Sequence, residues 1–539
     1  MYVKTVQPRS PRGDYGDSPT AQAGMRLRYA LLGGIVLAFI SLNAQAETFS
    51  GVVDVAIAEN GENNTFEEIY ELRILKNGKE VRKKLKSGKL KLRGGKVKLS
   101  PGDLVEVTGD AGGDSIFVDA LTVQATSGAA AVVDGDRTTL GILVGSNDSV
   151  AAVTAADLTE YLFNAERSID GLYDANSLGH IRFTGQVVGP YYKDTRGADC
   201  SSEGNGLWDW VASMEAQIIA DGVDISQYKH LMFIMPPNST CIGTGYAYFN
   251  NPYAFVKPQA SWGPEKVKYY IAHELGHNLG MHHAGYDPNN DGIADSEYGD
   301  QSDVQGNPQY QMSDWNAPNA DYMGFLSDYP HKIVTGESGF FEVEALEMHP
   351  GETWMQQIIK FPKLDRVANE WYYISFRQPI GYSNTLQIQY TTGISIHTFV
   401  DDGSIQRTRI IDLLQPGEVF YDQENKIAIT ATSQSLDGMS MGFTFEPIAE
   451  VPPVTLAISA GKGHRQNLWW SSIDTSEVSY YEVIRNDVTI ATTTNTAYED
   501  RSVSMGNIYS YVVVTVNAAG LRSEDSNTVT VNLSKRRRK

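Results

Sequence analysis

The chain has 539 residues, 41% hydrophobic and 20% charged, with 50 glycines and 29 tyrosines; this excludes one small domain and a wholly disordered chain, and points to several turn-rich, β-leaning units. Its 44 Lys and Arg stand against 65 Asp and Glu, a net charge of −21, which repels phosphate backbones and excludes nucleic acid as the main partner. With two cysteines, Cys200 and Cys241, neither a disulfide scaffold nor a cysteine-rich metal cluster can form.

Met25-Arg26-Leu27-Arg28, the apolar stretch from Tyr29 to Leu42 and the small-x-small site Ala44-Gln45-Ala46 read as a secretory signal peptide over residues 1–46, with Glu47 first in the mature chain. The apolar core is shorter than the roughly 20 residues of a membrane span, so secretion without stable membrane insertion is expected. Met25 has the better signal context, which makes residues 1–24 an over-extended start. In an exported chain the two cysteines, Cys200 and Cys241, are expected to form one disulfide.

Residues 47–125 alternate β-type runs such as Gly51-Val52-Val53-Asp54-Val55 and Leu104-Val105-Glu106-Val107 with Gly, Asn and Asp turns. That is the pattern of a small β-barrel or sandwich, OB-like, or of a pro-segment. Between Lys76 and Lys98 eleven Lys or Arg accompany a single acid, Glu80. The run is a solvated hairpin face, or a dock onto the acidic remainder of the chain, an anionic surface or a polysaccharide. No cysteine lies in this segment, so it cannot silence a metal with a thiolate, whereas a carboxylate or a steric plug stays open. Residues 125–135 are small and aperiodic, a linker.

From 136 to 335 strand and helix signals alternate: Leu140 to Val144 as strand, Asp157 to Tyr173 as helix, Ile181 to Val188 as strand, Leu207 to Ala220 as helix, His230 to Met235 as strand. After Pro264, residues Lys266 to Leu279 should be helical and contain His273-Glu274-Leu275-Gly276-His277. Two histidines four apart share a helix face and can bind one zinc ion, while Glu274 reaches an activated water as general base. Gly280, free to take positive φ, ends the helix, and the turn brings His283 back as third ligand; His282 points elsewhere. Three nitrogen ligands leave a fourth position open, the catalytic type of site. Further on, Asp287, Asn289 and Asp291 with Gly292, followed by Asp295, have the spacing of a calcium loop. Its twelfth position is Tyr298, so Glu297 or Asp300 would have to close the shell; the alternative is an Asx-rich turn without metal.

The string His273-Glu-x-x-His277-x-x-Gly280-x-x-His283 resembles the metzincin clan of zinc endopeptidases. Together with Glu297-Tyr298-Gly299-Asp300-Gln301-Ser302-Asp303-Val304 and Trp315-Asn316-Ala317-Pro318 it resembles the gametolysin family. The resemblance implies a methionine-containing turn beneath the metal. Gln305 stands where the family pattern has that methionine, so the turn falls to Met312 or Met323. Trp371 to Pro379 and Gly393 to His397 resemble the β-rich C-terminal half of the family, which extends the likeness over about residues 136–447. Residues 336–450 read as a β-rich subdomain. Residues 453–533 resemble a fibronectin type III module through Leu468-Trp469-Trp470 and Tyr509-Ser510-Tyr511, and 534–539 form a basic tail.

The fold expected is multidomain α+β: a metzincin-type catalytic domain, a twisted sheet plus the zinc helix, flanked by all-β domains. The function expected is that of a secreted zinc endopeptidase acting on extracellular proteins or glycoproteins, with calcium as a second ion. Alternatives are a surface adhesion or matrix-binding protein with a vestigial zinc site, and a non-peptidase zinc hydrolase, which the residues alone allow.

Overall fold

The computed structural model describes residues 3–5, 46–61, 63–88, 90, 99–126, 133–196, 206–335, 338–363, 369–401, 405–447, 451–461, 465–471, 478–517 and 520–533. The signal segment, apart from its ends, therefore lies outside the described residues, as do Cys200, residues 91–98 of the basic run and the basic tail. Among the described residues no helix is long and apolar enough to cross a membrane.

Five strands open the chain: β1 (Glu47–Asn60), β2 (Thr65–Lys76), β3 (Lys79–Ser87), β4 (Leu104–Gly112) and β5 (Ser115–Ala125). They run in the order β2-β3-β5-β4-β1, and β1 also pairs with β2, which closes a barrel. Alternation in the sequence decides its interior, because successive side chains of a strand face opposite sides. Val53, Val55 and Ile57 of β1 meet Leu72, Leu85, Val105, Val107, Ile116 and Val118 in one core.

A second sheet has the order β9-β10-β8-β6-β7, from β6 (Gly135–Ser146), β7 (Ile181–Tyr192), β8 (His230–Ile234), β9 (Gly245–Tyr248) and β10 (Tyr253–Val256). β6 is parallel to β7 and β8, and β8 to β10, while β9 runs antiparallel between β10 and β1 of the barrel and makes the two sheets continuous. Both faces are covered, so the central strands are continuously apolar. Met232 and Ile234 join the core beneath helices α1 (Ile169–Asn176) and α3 (Pro264–Asn278), and Leu231 and Phe233 the core beneath α2 (Gly206–Ala220). The helix expected over Asp157 to Tyr173 is interrupted: Ala165 turns extended and Ser168 caps α1 afresh by accepting from the Gly171 N–H.

β11 (Ala284–Tyr286) carries the chain out of the helical region into a six-stranded sheet with 408–414, 394–400, 370–376, 358–362 and 331–333. A five-stranded sheet containing 339–344, 440–447, 427–434 and 419–422 packs on it, and the three-residue strand Val3–Thr5 pairs with its edge at Val419–Tyr421. Residues 456–532 form sheets of three and four strands around a core of their own. Among the described residues helices longer than six residues are confined to α1, α2 and α3. The protein is therefore mostly β, in several sheets and a barrel, more so than an even α+β division would give.

Candidate metal centre

Pro264 occupies the first turn of α3 after an extended Gly263, where its missing N–H is not needed. The helix packs on β8, β9 and β10 of the second sheet and against α1, and residues 267–278 are all buried. Gly280, at φ +100°, reverses the chain; a Cβ there would also lie 2.7 Å from Asn250 Oδ1. The reversal returns His283 to the two helix histidines, and all three rings are fully buried.

Each ring has its Nδ1 engaged by an acceptor: His273 by the Val304 carbonyl, His277 by the Met281 carbonyl and His283 by Glu297 Oε1, all at 2.8 Å. A carbonyl or carboxylate oxygen can only accept, so the ring proton sits on Nδ1 and the Nε2 lone pairs are left free. Those three Nε2 atoms converge on one oxygen, Glu59 Oε1, at 2.9, 3.5 and 2.8 Å for His273, His277 and His283. With the rings neutral, three lone pairs face a carboxylate oxygen, and a cation among them resolves the set. The set fits zinc, which takes imidazole nitrogen and carboxylate oxygen. Burial lowers His277 to about 4, so its ring is neutral as a ligand must be. Beside the cluster, both oxygens of Glu274 are buried without a hydrogen-bond partner. Burial, and then the Glu59 charge, raise its carboxyl well above the usual range.

Glu59 arrives by strand pairing. Residues Ala56 to Glu59 of β1 lie antiparallel on β9, with Glu59 opposite Gly245 and Ala56 opposite Tyr248. Directly opposed residues share a face, and the face of Glu59 and Gly245 looks at α3, that of Ala56 and Tyr248 at the core beneath α2. Gly245 is what makes room, since a Cβ there would stand 1.7 Å from Glu274 Oε1 and 3.3 Å from Glu59 Oε2. The Tyr298 hydroxyl donates to Glu59 Oε1 at 3.2 Å, and its ring lies against His283. His282 faces away from the cluster: its Nδ1 accepts the His283 N–H and its Nε2 donates to Glu68 at 3.2 Å.

A profile of the family described as Gametolysin peptidase M11 matches residues 150–425, just over half of the chain. The chain belongs to the gametolysin M11 peptidase family. It is thus a member of a metallopeptidase family with a buried His/Glu cluster compatible with a metal ion. No curated protein sequence matches it. Among solved structures, pectate lyase PelI from Erwinia chrysanthemi aligns at 30% identity over 15% of this chain and 28% of that one, with a TM-score of 0.13. An Fn3-like protein from Clostridium thermocellum aligns at 27% over 17% and 99%, TM-score 0.14, and the M60 catalytic domain of Clostridium perfringens ZmpC at 17% over 16% and 17%, TM-score 0.14. The chain spans less than a third of the first of these, and likenesses of this size stay local.

The family segment around Asp300 serves as scaffold. Asp300 accepts from His397, Ser302 and Asn316, and Asp303 accepts from the Asn316 N–H, Asn319 and the Gln305 N–H. Beneath the histidines runs Val304-Gln305: Gln305 Nε2 lies 3.3 Å from His277 Nδ1, and Gly276 makes way for its side chain. Met312 and Met323 are both buried in the adjoining core. In the loop proposed for calcium, Asp287 accepts from the backbone N–H groups of Asp291 and Gly292 and faces Arg409, while Asn289 and Asp291 accept from the N–H two residues on. These are Asx-turn bonds, and Asp295 lies in the same loop. Glu297 and Asp300, the candidates to close a calcium shell, are committed to His283 with Arg407 and to His397 instead. Cys241 is buried, and Cys200 lies outside the described residues. Glu59 was not legible as a site residue, whereas Tyr298 and Gln305 were marked only by the family resemblance, Tyr298 beside the Gly-Asp segment and Gln305 where the pattern has the methionine beneath the metal.

Proposed function

We propose that the protein is a secreted zinc-dependent endopeptidase with a metzincin-type catalytic domain. The observation that carries this reading is the convergence of His273, His277 and His283 through Nε2, with the unpartnered Glu274 carboxylate beside it. The three imidazoles would hold zinc; bound there, the ion would supply a Lewis acid for the peptide carbonyl and an activated water. Glu274, beside the cluster, would take the proton of the attacking water and return it to the leaving amine. With β1 displaced, β9 would offer its backbone to an extended peptide. Secretion rests on the signal segment ending at Ala46, and a Cys200–Cys241 disulfide belongs with it. The barrel is read as OB-like, and the seven-stranded C-terminal unit as a fibronectin type III-like module.

Casein cleavage by the chain, and by its Glu59→Ala variant in which the carboxylate is cleared from the histidines, tests the reading. Cleavage should stop with a zinc chelator. Added Glu274→Ala should keep zinc yet lose activity by about 10²–10⁴-fold, and His277→Ala should lose both. Cleavage that persists after Glu274→Ala, or full zinc content after His277→Ala, refutes these assignments.

A further inference from the structure

A three-histidine zinc site works because its fourth position is open to water and substrate. In this protein a side chain from outside the family-matched region, Glu59 of the barrel, stands in that position, only 4% exposed. Its Oε1 lies 2.9, 3.5 and 2.8 Å from the Nε2 atoms of His273, His277 and His283, an arrangement that a cation bound by all four groups makes favourable. We propose that Glu59 is the fourth ligand of the metal in a latent form of the enzyme, and that Ala56 to Glu59 of β1 hold the place of a substrate backbone on β9. The proposal rests on the metallopeptidase reading above and adds its regulation.

The contact is built, not incidental. β1 adds to β9 as an extended peptide adds to a free sheet edge, and its approach depends on missing side chains: a Cβ on Gly243 would lie 2.0 Å from the Glu59 carbonyl oxygen. Further anchors ring the centre. Glu68 of β2 accepts from Arg407, which also donates to Glu297, the partner of His283. Glu71 of β2 accepts from Trp208 and from Tyr248 of β9, both at 3.1 Å, and the Arg82 guanidinium of β3 lies 3.8 Å over the Trp208 ring. The barrel thus grips both sides of the cleft it fills. A carboxylate does here what a thiolate cannot, since the barrel has no cysteine. Activation requires β1 to leave β9.

The test uses the full chain loaded with Co²⁺, whose visible spectrum reports its ligands, with acetohydroxamate as a small probe that needs an open metal position. The wild-type spectrum should be insensitive to the probe. Glu59→Ala should bind it at least tenfold more tightly, and should hold Co²⁺ at least tenfold more weakly against a chromophoric chelator, because one of four ligands is gone. Glu59→Gln, which keeps the side-chain volume, serves if the alanine variant does not fold, and should shift both readouts in the same direction. Wild type that binds acetohydroxamate as tightly as the variants overturns the proposal, as does unchanged cobalt affinity in both. A Glu59→Ala chain that gains the probe yet cleaves no casein leaves Glu59 as ligand and removes the peptidase reading instead.

Discussion

At the scale of single residues, the centre depends as much on what lies behind the histidines as on the rings. The carbonyls of Val304 and Met281 and the carboxylate of Glu297 fix each proton on Nδ1, so three Nε2 lone pairs are presented without any rearrangement when a metal enters. Glu297 stays ionised in this role: burial pushes it up, but the His283 hydrogen bond and the Arg407 guanidinium hold it below the usual carboxylate range. Gly245 is the other fixed requirement. Replacing it by alanine would drive a methyl group into Glu274, 1.7 Å away. Displacing a base by about 1 Å costs on the order of 10²-fold in rate. In the Glu59→Ala background, Gly245→Ala should therefore lose about 100-fold in casein cleavage at unchanged zinc content. Parallel loss of zinc would mean that the glycine supports the ligands and not the base.

At the scale of elements, the segment from Tyr298 to Gln305 ties three parts together. It carries Val304 and Gln305 under α3, binds Asn316 and Asn319 at the start of helix α4 (Ala317–Tyr322), and reaches His397 of the C-terminal sheet through Asp300. Burial raises the Asp300 carboxyl, but the charge and hydrogen bond of His397, with Ser302 and Asn316, hold it at about 2. A folded pKa below the unfolded value near 3.9 contributes stability that is present above about pH 4 and lost as pH falls toward 2, worth about 2 kcal/mol. Thermal melts should show this loss between pH 4 and pH 2, with a shallower slope in Asp300→Asn. An identical acid slope in the variant would assign the loss to other carboxylates.

For the whole molecule, the barrel and the C-terminal sandwich stand in opposite relations to the centre. The barrel shares β1 with the second sheet and sends Glu59 into the histidine cluster. The sandwich closes on itself around Leu468, Trp470, Tyr481, Val483, Tyr511 and Val513. A chain ending before Val454 should keep its zinc content, its cleavage rate and the melting temperature of the remainder within a few degrees, as calorimetry and metal analysis would show. A large fall in the remaining transition would reveal a structural dependence on the sandwich.

What the sequence determined by itself is what repeats or is adjacent along the chain. Helical periodicity sets His273 and His277 on one face, a glycine able to take φ +100° returns His283 six residues later, and two-residue alternation fills the barrel core. What only the tertiary structure decided are contacts between distant segments. Glu59 meets His273 across 214 positions and His283 across 224, and Ala-Ile-Ala-Glu-Asn would suit any strand that alternates inward and outward. Glu297 behind His283 and Arg407 between Glu68 and Glu297 are contacts of the same kind. Local steric rules act over one turn or one strand, whereas pairing β1 with β9 is selected by the summed fit of two folded surfaces.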